Sequence, residues 1–234
     1  MESTSKIKQN LDTNFLKLIA IISMAVDHTA KNFFPDNIAL AMIGRIAFPL
    51  FAYCLVVGCL YTRSTKNYIG RLFVFAIISQ PFYVMAFHPT WEGFIENILV
   101  LNIFFTLIAG VLVINALMNI KKNWWMILIA VAMEFFIGLD YGIYGIILMV
   151  IFYLCRNKSW LSFILIFIWM SLSFPGDFIH VLGFGIDLQF FAVLSLPLIY
   201  IHTGIRPKIN KYFFYIFYPA HLFVIFLVRF FYHI

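Results

Sequence analysis

Long apolar runs separated by short polar breaks fill the chain from Phe15 almost to its last residue. Segments 15–34, 38–61, 68–87, 96–118, 124–139, 142–155, 160–178, 188–203 and 211–231 each read as a membrane helix, which predicts about nine spans, within a range of eight to ten. The fifth and sixth are short: at about 1.5 Å per residue they barely reach across a hydrocarbon core roughly 30 Å thick. Only "GLDYG" separates them, so this pair is expected to be short or re-entrant. The expected fold is all-α, a polytopic transmembrane helix bundle. Residues 1–14 form a polar tail and 15–234 a single membrane domain.

Composition agrees with the pattern. Of 234 residues, 64% are hydrophobic and 11% charged, whereas soluble domains carry about 25% charged residues. The first apolar run is too long for a signal-peptide core and lacks a small-residue cleavage pattern, so it reads as a retained helix. Cys54, Cys59 and Cys155 are odd in number and lie in or beside apolar segments, which predicts no disulfide framework.

Charge adds orientation. The segmentation gathers 13 of the 16 lysines and arginines on one side: Lys6, Lys8, Lys17, Arg63, Lys66, Arg71, Lys121, Lys122, Arg156, Lys158, Arg206, Lys208 and Lys211. The opposite loops hold Asp36, Glu92, Glu96, Asp140, Asp177 and Asp187, with Lys31 the only lysine near them. The positive-inside rule then puts the N-terminus in the cytoplasm and, for nine spans, the C-terminus outside. The net charge of +6 is accounted for by topology, with no nucleic-acid partner expected. A multi-pass protein of a bacterial cytoplasmic membrane, with lipids around it, is the location this implies.

Ionisable groups within the runs carry the chemistry. One charge near a bilayer centre costs at least about 2.5–3.5 kcal/mol on insertion scales, yet the first two spans hold Asp27, His28 and Arg45. Asp27 lies about 18 Å from the cytoplasmic end of its span and Arg45 about 10 Å below the outer end of the next, at similar depth. Glu134 and His221 each come about 15 Å into spans entering from the cytoplasm. Gln80, Asn97 and Asn102 occupy outer halves of the third and fourth spans, and Asp140 and Tyr141 sit in the outer "GLDYG" connection. An outward-opening polar chamber is the economical arrangement. His88, His180, His202 and His233 read as interfacial.

Two classes of function suit such a chamber. A histidine, a carboxylate and an arginine fit general-base acyl transfer, while the same acids and bases could relay protons in a coupled transporter. A non-catalytic membrane assembly factor is a third reading. No G-x-S-x-G, H-E-x-x-H or P-loop is present, and no metal site is expected.

Several stretches in a fixed order sharpen this: "LKLIAIISMAVDH", "IGRIAFPLFAYCLVVG", "YTRSTKNYIGRLFVFAIISQPFY", "NILVLNIFFTLIAG", "DYGIYGIILMV" and "FYIFYPAHLFVIFLVR". Together they resemble the TraX family along nearly the whole chain. That family is similar to transmembrane acyltransferases of the acyltransferase 3 type, and the member that names it is associated with acetylation of conjugative pilin. The resemblance implies an acetyltransferase using acetyl-CoA as donor, with no metal, and a peptide, pilin-like or small-molecule acceptor bearing an amine or hydroxyl. Catalysis would fall to His28 or His221 as base, Asp27 as orienting or charge-balancing group and Arg45 as oxyanion stabiliser. Gln80, Asn97, Asn102, Glu134, Asp140 and Tyr141 would contact substrate, and Arg63, Lys66 and Arg71 the donor phosphates. Whether Arg45 neutralises Asp27 or serves the reaction is left open by the residues.

Overall fold

A computed structural model describes residues 12–172, 178–181 and 184–232. Helices dominate: α1 (Thr13–Phe33), α2 (Ile38–Gly44), α3 (Ala47–Tyr61), α4 (Thr65–Phe87), α5 (Trp91–Asn97), α6 (Ile103–Met118), α7 (Ile120–Asn123), α8 (Trp125–Ile137), α9 (Gly142–Leu154) and α10 (Ser159–Ser171). A two-stranded antiparallel hairpin follows, β1 (Phe178–Val181) with β2 (Phe184–Asp187), then a 3-10 helix (Leu188–Ser195), α11 (Leu196–Tyr200) and α12 (Lys211–Tyr232). Among the described residues three helical stretches are long and apolar enough to cross a membrane alone, Ile38–Tyr61, Thr65–Phe87 and Lys211–Tyr232, and several shorter apolar helices accompany them. The chain is a helical membrane protein.

Four expected spans differ in detail. The second, over 38–61, is interrupted at residues 45–46 between α2 and α3. The fourth is not one helix over 96–118: α5 ends at Asn97, and α6 starts only after Asn102, whose side chain accepts from Phe104 N at 3.1 Å as its N-cap. The seventh stops at Ser171 rather than at 178, just before "SFPGD", where Pro175–Gly176 is a strong sequence breaker. The eighth begins as a 3-10 helix and turns α-helical only at Leu196. The short fifth and sixth segments are short indeed, 13 residues each in α8 and α9. The turn between them needs left-handed backbone at Gly138 (φ 74°) and Gly142 (φ 47°), conformations that glycine adopts without a Cβ clash.

The chain divides into two compact units, residues 1–57 with 151–209, and 58–150 with 210–234. In the first, α1 buries Leu16, Ala20, Met24, Asp27 and Ala30, a three-to-four-residue stripe on one face. Asp27 is the charged member of that stripe. The link "KNFFPDN" leaves little choice of neighbour, and α2 packs against α1. Tyr53 and Phe152, both almost fully buried, meet edge to face at 5.3 Å.

The start of α1 is tied to the segment after α11. Asp12 accepts from Arg206 Nε (2.9 Å), Gly204 N (2.9 Å) and Thr203 Oγ1 (3.2 Å), while Asn14 Nδ2 donates to Pro207 O (3.1 Å). The Arg206 guanidinium, above all, holds the Asp12 carboxyl below its usual range. A lowered folded pKa stabilises above the unfolded value and ceases to do so as pH falls through the folded one. Asp12→Asn is therefore expected to lower Tm at neutral pH. The difference from wild type should shrink as pH drops below about 4, measured by thermal unfolding in detergent.

In the second unit α4 and α12 run parallel. Phe75 stacks on Tyr215, Phe82 meets Phe223 edge to face, and Arg229 Nη1 donates to Ala86 O at 2.9 Å, so contacts advance in the same direction along both helices. That last bond places a cation on the carbonyl end of α4, where the helix dipole favours it. Gln80, on the buried side of α4, donates to Ile98 O (3.0 Å) and Val100 O (2.7 Å). Its Oε1 accepts from both Asn102 N (3.1 Å) and Asn102 Nδ2 (2.8 Å), and Asn102 Nδ2 also donates to Ala76 O (2.8 Å). The two amides satisfy the non-helical backbone of 98–102, which lipid could not.

Candidate functional site

Arg45 occupies a joint between α2 and α3. Pro49, four residues on, has no N–H to give the Arg45 carbonyl and its ring crowds that position, so the helix is interrupted there. The interruption sets the guanidinium beside α1. Arg45 Nη2 lies 4.0 Å from Asp27 Oδ1, at the limit of an ion pair and beyond hydrogen-bonding distance. Gly44 makes the approach possible, because a Cβ there would come within 2.8 Å of Asp27 Cγ.

Asp27 has a closer partner. Lys31 Nζ lies 2.7 Å from Asp27 Oδ2, one helical turn on. Asp27 Oδ1 and Arg45 Nε are buried with no hydrogen-bond partner among the described residues. Lys31 thus carries the short, charge-assisted contact, while Arg45 Nε is left without one among the described residues. From sequence Lys31 reads only as a lysine near the outer loops. The signal that could have placed it was its spacing, since an acid four residues before a lysine on a helix is a favourable pair. His28, half-buried, follows Asp27 at the helical offset of about 100°, and its carbonyl accepts from Asn32 Nδ2 at 2.8 Å.

His221 belongs to the second unit. Its Nδ1 is 2.9 Å from Phe217 O, and a carbonyl only accepts, so Nδ1 carries the proton and a neutral ring has its lone pair on Nε2. The ring stacks on Phe217 (5.3 Å) and meets Tyr218 at 5.6 Å. Pro219 breaks the backbone pattern of α12 one turn beyond Tyr215, yet the imidazole bonds the carbonyl of Phe217 instead.

The other expected site residues also lie in the second unit. Gln80 and Asn102 have their amide hydrogens engaged within the protein, as above. Asn97 Nδ2 donates to Gly93 O of its own helix (2.9 Å). Glu134 folds over the end of α8: Leu139 N donates to its Oε2 at 3.3 Å, and a Cβ on Gly142 would come 2.7 Å from its Oε1. Asp140 is exposed and Tyr141 half-buried in that turn. Arg63 and Lys66 are exposed at the start of α4, where Ser64 caps the helix. Arg71 lies further in, over the Tyr68 ring at 5.6 Å and hydrogen-bonded to Tyr215. Among the described residues no three His, Cys, Asp or Glu side chains gather to hold a metal.

A family model described as "TraX protein" matches residues 12–229. The chain belongs to the TraX family. The match takes in Asp27, His28, Arg45 and His221 alike. The chain is 29% identical over 231 residues to "Probable fimbrial assembly protein FimC, serogroup H1" of Dichelobacter nodosus, covering 88% of this chain and 91% of that protein. It is 35% identical over 83 residues to "Protein TraX" of Escherichia coli K12, covering 34% of this chain and 33% of that one. "Uncharacterized protein RP591" of Rickettsia prowazekii is 32% identical over 84 residues, 35% of this chain and 32% of that protein. No solved structure matches.

Within this TraX family chain, three cations fall outside the basic loop clusters: Lys31, Arg45 and Arg229. Lys31 is paired with Asp27 and Arg229 caps α4. Arg45 alone of the three has a buried donor without a hydrogen-bond partner among the described residues.

Proposed function

We propose that this protein is a transmembrane acetyltransferase that moves an acetyl group from acetyl-CoA to an amine or hydroxyl of a peptide, pilin-like or small-molecule acceptor outside the cytoplasm. The observation that carries the reading is Arg45: a largely buried guanidinium at a proline-broken helix joint, 16% exposed in its side chain, beside a carboxylate that another cation already holds. A fixed, incompletely engaged cation in a low-dielectric setting suits a thioester carbonyl that becomes an oxyanion.

The acceptor nitrogen or oxygen attacks the thioester carbonyl carbon as a base takes its proton. Arg45 stabilises the tetrahedral oxyanion. Collapse forms the new amide or ester and breaks the C–S bond, and the thiolate leaves and is protonated. His28, adjacent to the Asp27–Lys31 pair, is the base in the first unit; His221, with its lone pair on Nε2, is the candidate in the second. Arg63 and Lys66 suit the donor's phosphates by charge. The proposed orientation, with the N-terminus in a bacterial cytoplasm, puts these cations on the side where acetyl-CoA is made.

Mass spectrometry of surface and secreted molecules from cells with and without the gene tests the reading. A single acetyl group present only with the gene supports it and names the acceptor. His28→Ala and His221→Ala separate the bases, and full transfer by both variants would exclude histidine catalysis. A non-catalytic role in fibre assembly is the second reading, favoured by the name of the Dichelobacter relative. It predicts altered fibres with unmodified subunits. A proton-coupled transporter would instead move a solute with no covalent product.

A further inference from the structure

We infer that Lys31 is a positioning residue whose pairing with Asp27 keeps the Arg45 guanidinium open to an anion. The geometry is a competition for one carboxylate. Lys31 Nζ sits 2.7 Å from Oδ2, while Arg45 Nη2 stands 4.0 Å from Oδ1. Among the described residues Oδ1 has no hydrogen-bond partner, although it lies next to Gly44, directly before Arg45 in sequence, and Arg45 Nε has none either. A bidentate arginine–carboxylate pair is the favoured geometry for such groups, and here it has not formed.

Charge gives the reason. With Lys31 in place the triad is one carboxylate and two cations, a net positive centre with an available guanidinium. Without Lys31, Asp27 and Arg45 form a neutral pair, and the remaining gap of about one ångström closes readily because Arg45 follows a helix break. A neutral, mutually satisfied pair has little affinity for an oxyanion. The acid is thus kept close to the arginine yet prevented from quenching it by a lysine one turn along the same helix.

The consequence for activity rests on the acyl-transfer reading; the pairing itself does not. Two readouts keep them apart. In the first, coupling between Asp27 and Arg45 is measured as non-additivity of Tm in the cycle Asp27→Asn, Arg45→Gln and the double variant. It is determined in the full-length protein in detergent, with Lys31 present and again in Lys31→Ala. The coupling is expected to be small with Lys31 and clearly larger without it. Equal coupling in both backgrounds would overturn the inference. In the second, acetyl transfer is expected to fall about tenfold in Lys31→Ala, in kcat rather than KM, as a fraction of the 10²–10³ typical of losing an oxyanion donor outright. Lys31→Arg should restore it to within about threefold. Failure of the arginine variant to restore transfer, with coupling unchanged, overturns the inference while leaving acyl transfer standing. Coupling that rises as expected, in a protein that transfers no acetyl group in any variant, supports the positioning role and defeats the activity.

Discussion

Replacing Arg45 with alanine is expected to lower acetyl transfer by about 10²–10³, the usual cost of removing one oxyanion donor. Fold stability should change far less. Among the described residues the guanidinium has no hydrogen-bond partner at Nε, and it stands 4.0 Å from Asp27, whose carboxylate Lys31 holds at 2.7 Å. Removing it therefore leaves no stranded buried charge. Arg45→Lys should recover part of the rate, since a point charge at that place stabilises an oxyanion without the guanidinium's directed donors. Transfer by initial rate and Tm in detergent check both halves. A large loss of Tm with an unchanged rate in the folded fraction would make Arg45 a structural residue.

Gly44→Ala is the second large effect, and it acts by crowding. A Cβ at Gly44 would fall 2.5 Å from Asp27 Cβ, an atom that no side-chain rotation moves, so α1 and α2 must part. Forcing extra atoms into a packed contact costs about 1–3 kcal/mol. Transfer is expected to fall with it, because Asp27, Lys31 and Arg45 all depend on that contact. Gly70→Ala is the control: nothing lies within 4 Å of a Cβ there, so Tm and rate should stay near wild type. Equal behaviour of the two variants would mean that the close approach at Gly44 has no role.

Much of the fold was legible because each apolar run needed only a solvent to explain it. The helices predicted over 38–61, 68–87 and 211–231 correspond to the three long apolar stretches observed. Where prediction missed, a polar side chain or a breaker had overruled hydropathy: Asn102 caps α6 and, with Gln80, holds residues 98–102 off the helix. Hydropathy sees those residues as continuous with the run that follows. The neighbourhood of Asp27 and Arg45 was legible from the short "KNFFPDN" link. The division of roles within it was not, because it turns on distances of 2.7 and 4.0 Å that sequence spacing cannot fix. Gln80, Asn102 and Glu134 are polar groups in a membrane, and each demands a partner. In each case the structure shows backbone N–H or C=O groups meeting that demand.

The proposed acetyl transfer depends on Arg45. Purified protein in proteoliposomes, given acetyl-CoA labelled in the acetyl group and an acceptor fraction of surface proteins and peptides, tests it most directly. Label should pass covalently to an acceptor with wild-type protein, be lost with Arg45→Ala and return in part with Arg45→Lys. No transfer by folded wild-type protein, or equal transfer by wild type and Arg45→Ala, would contradict it.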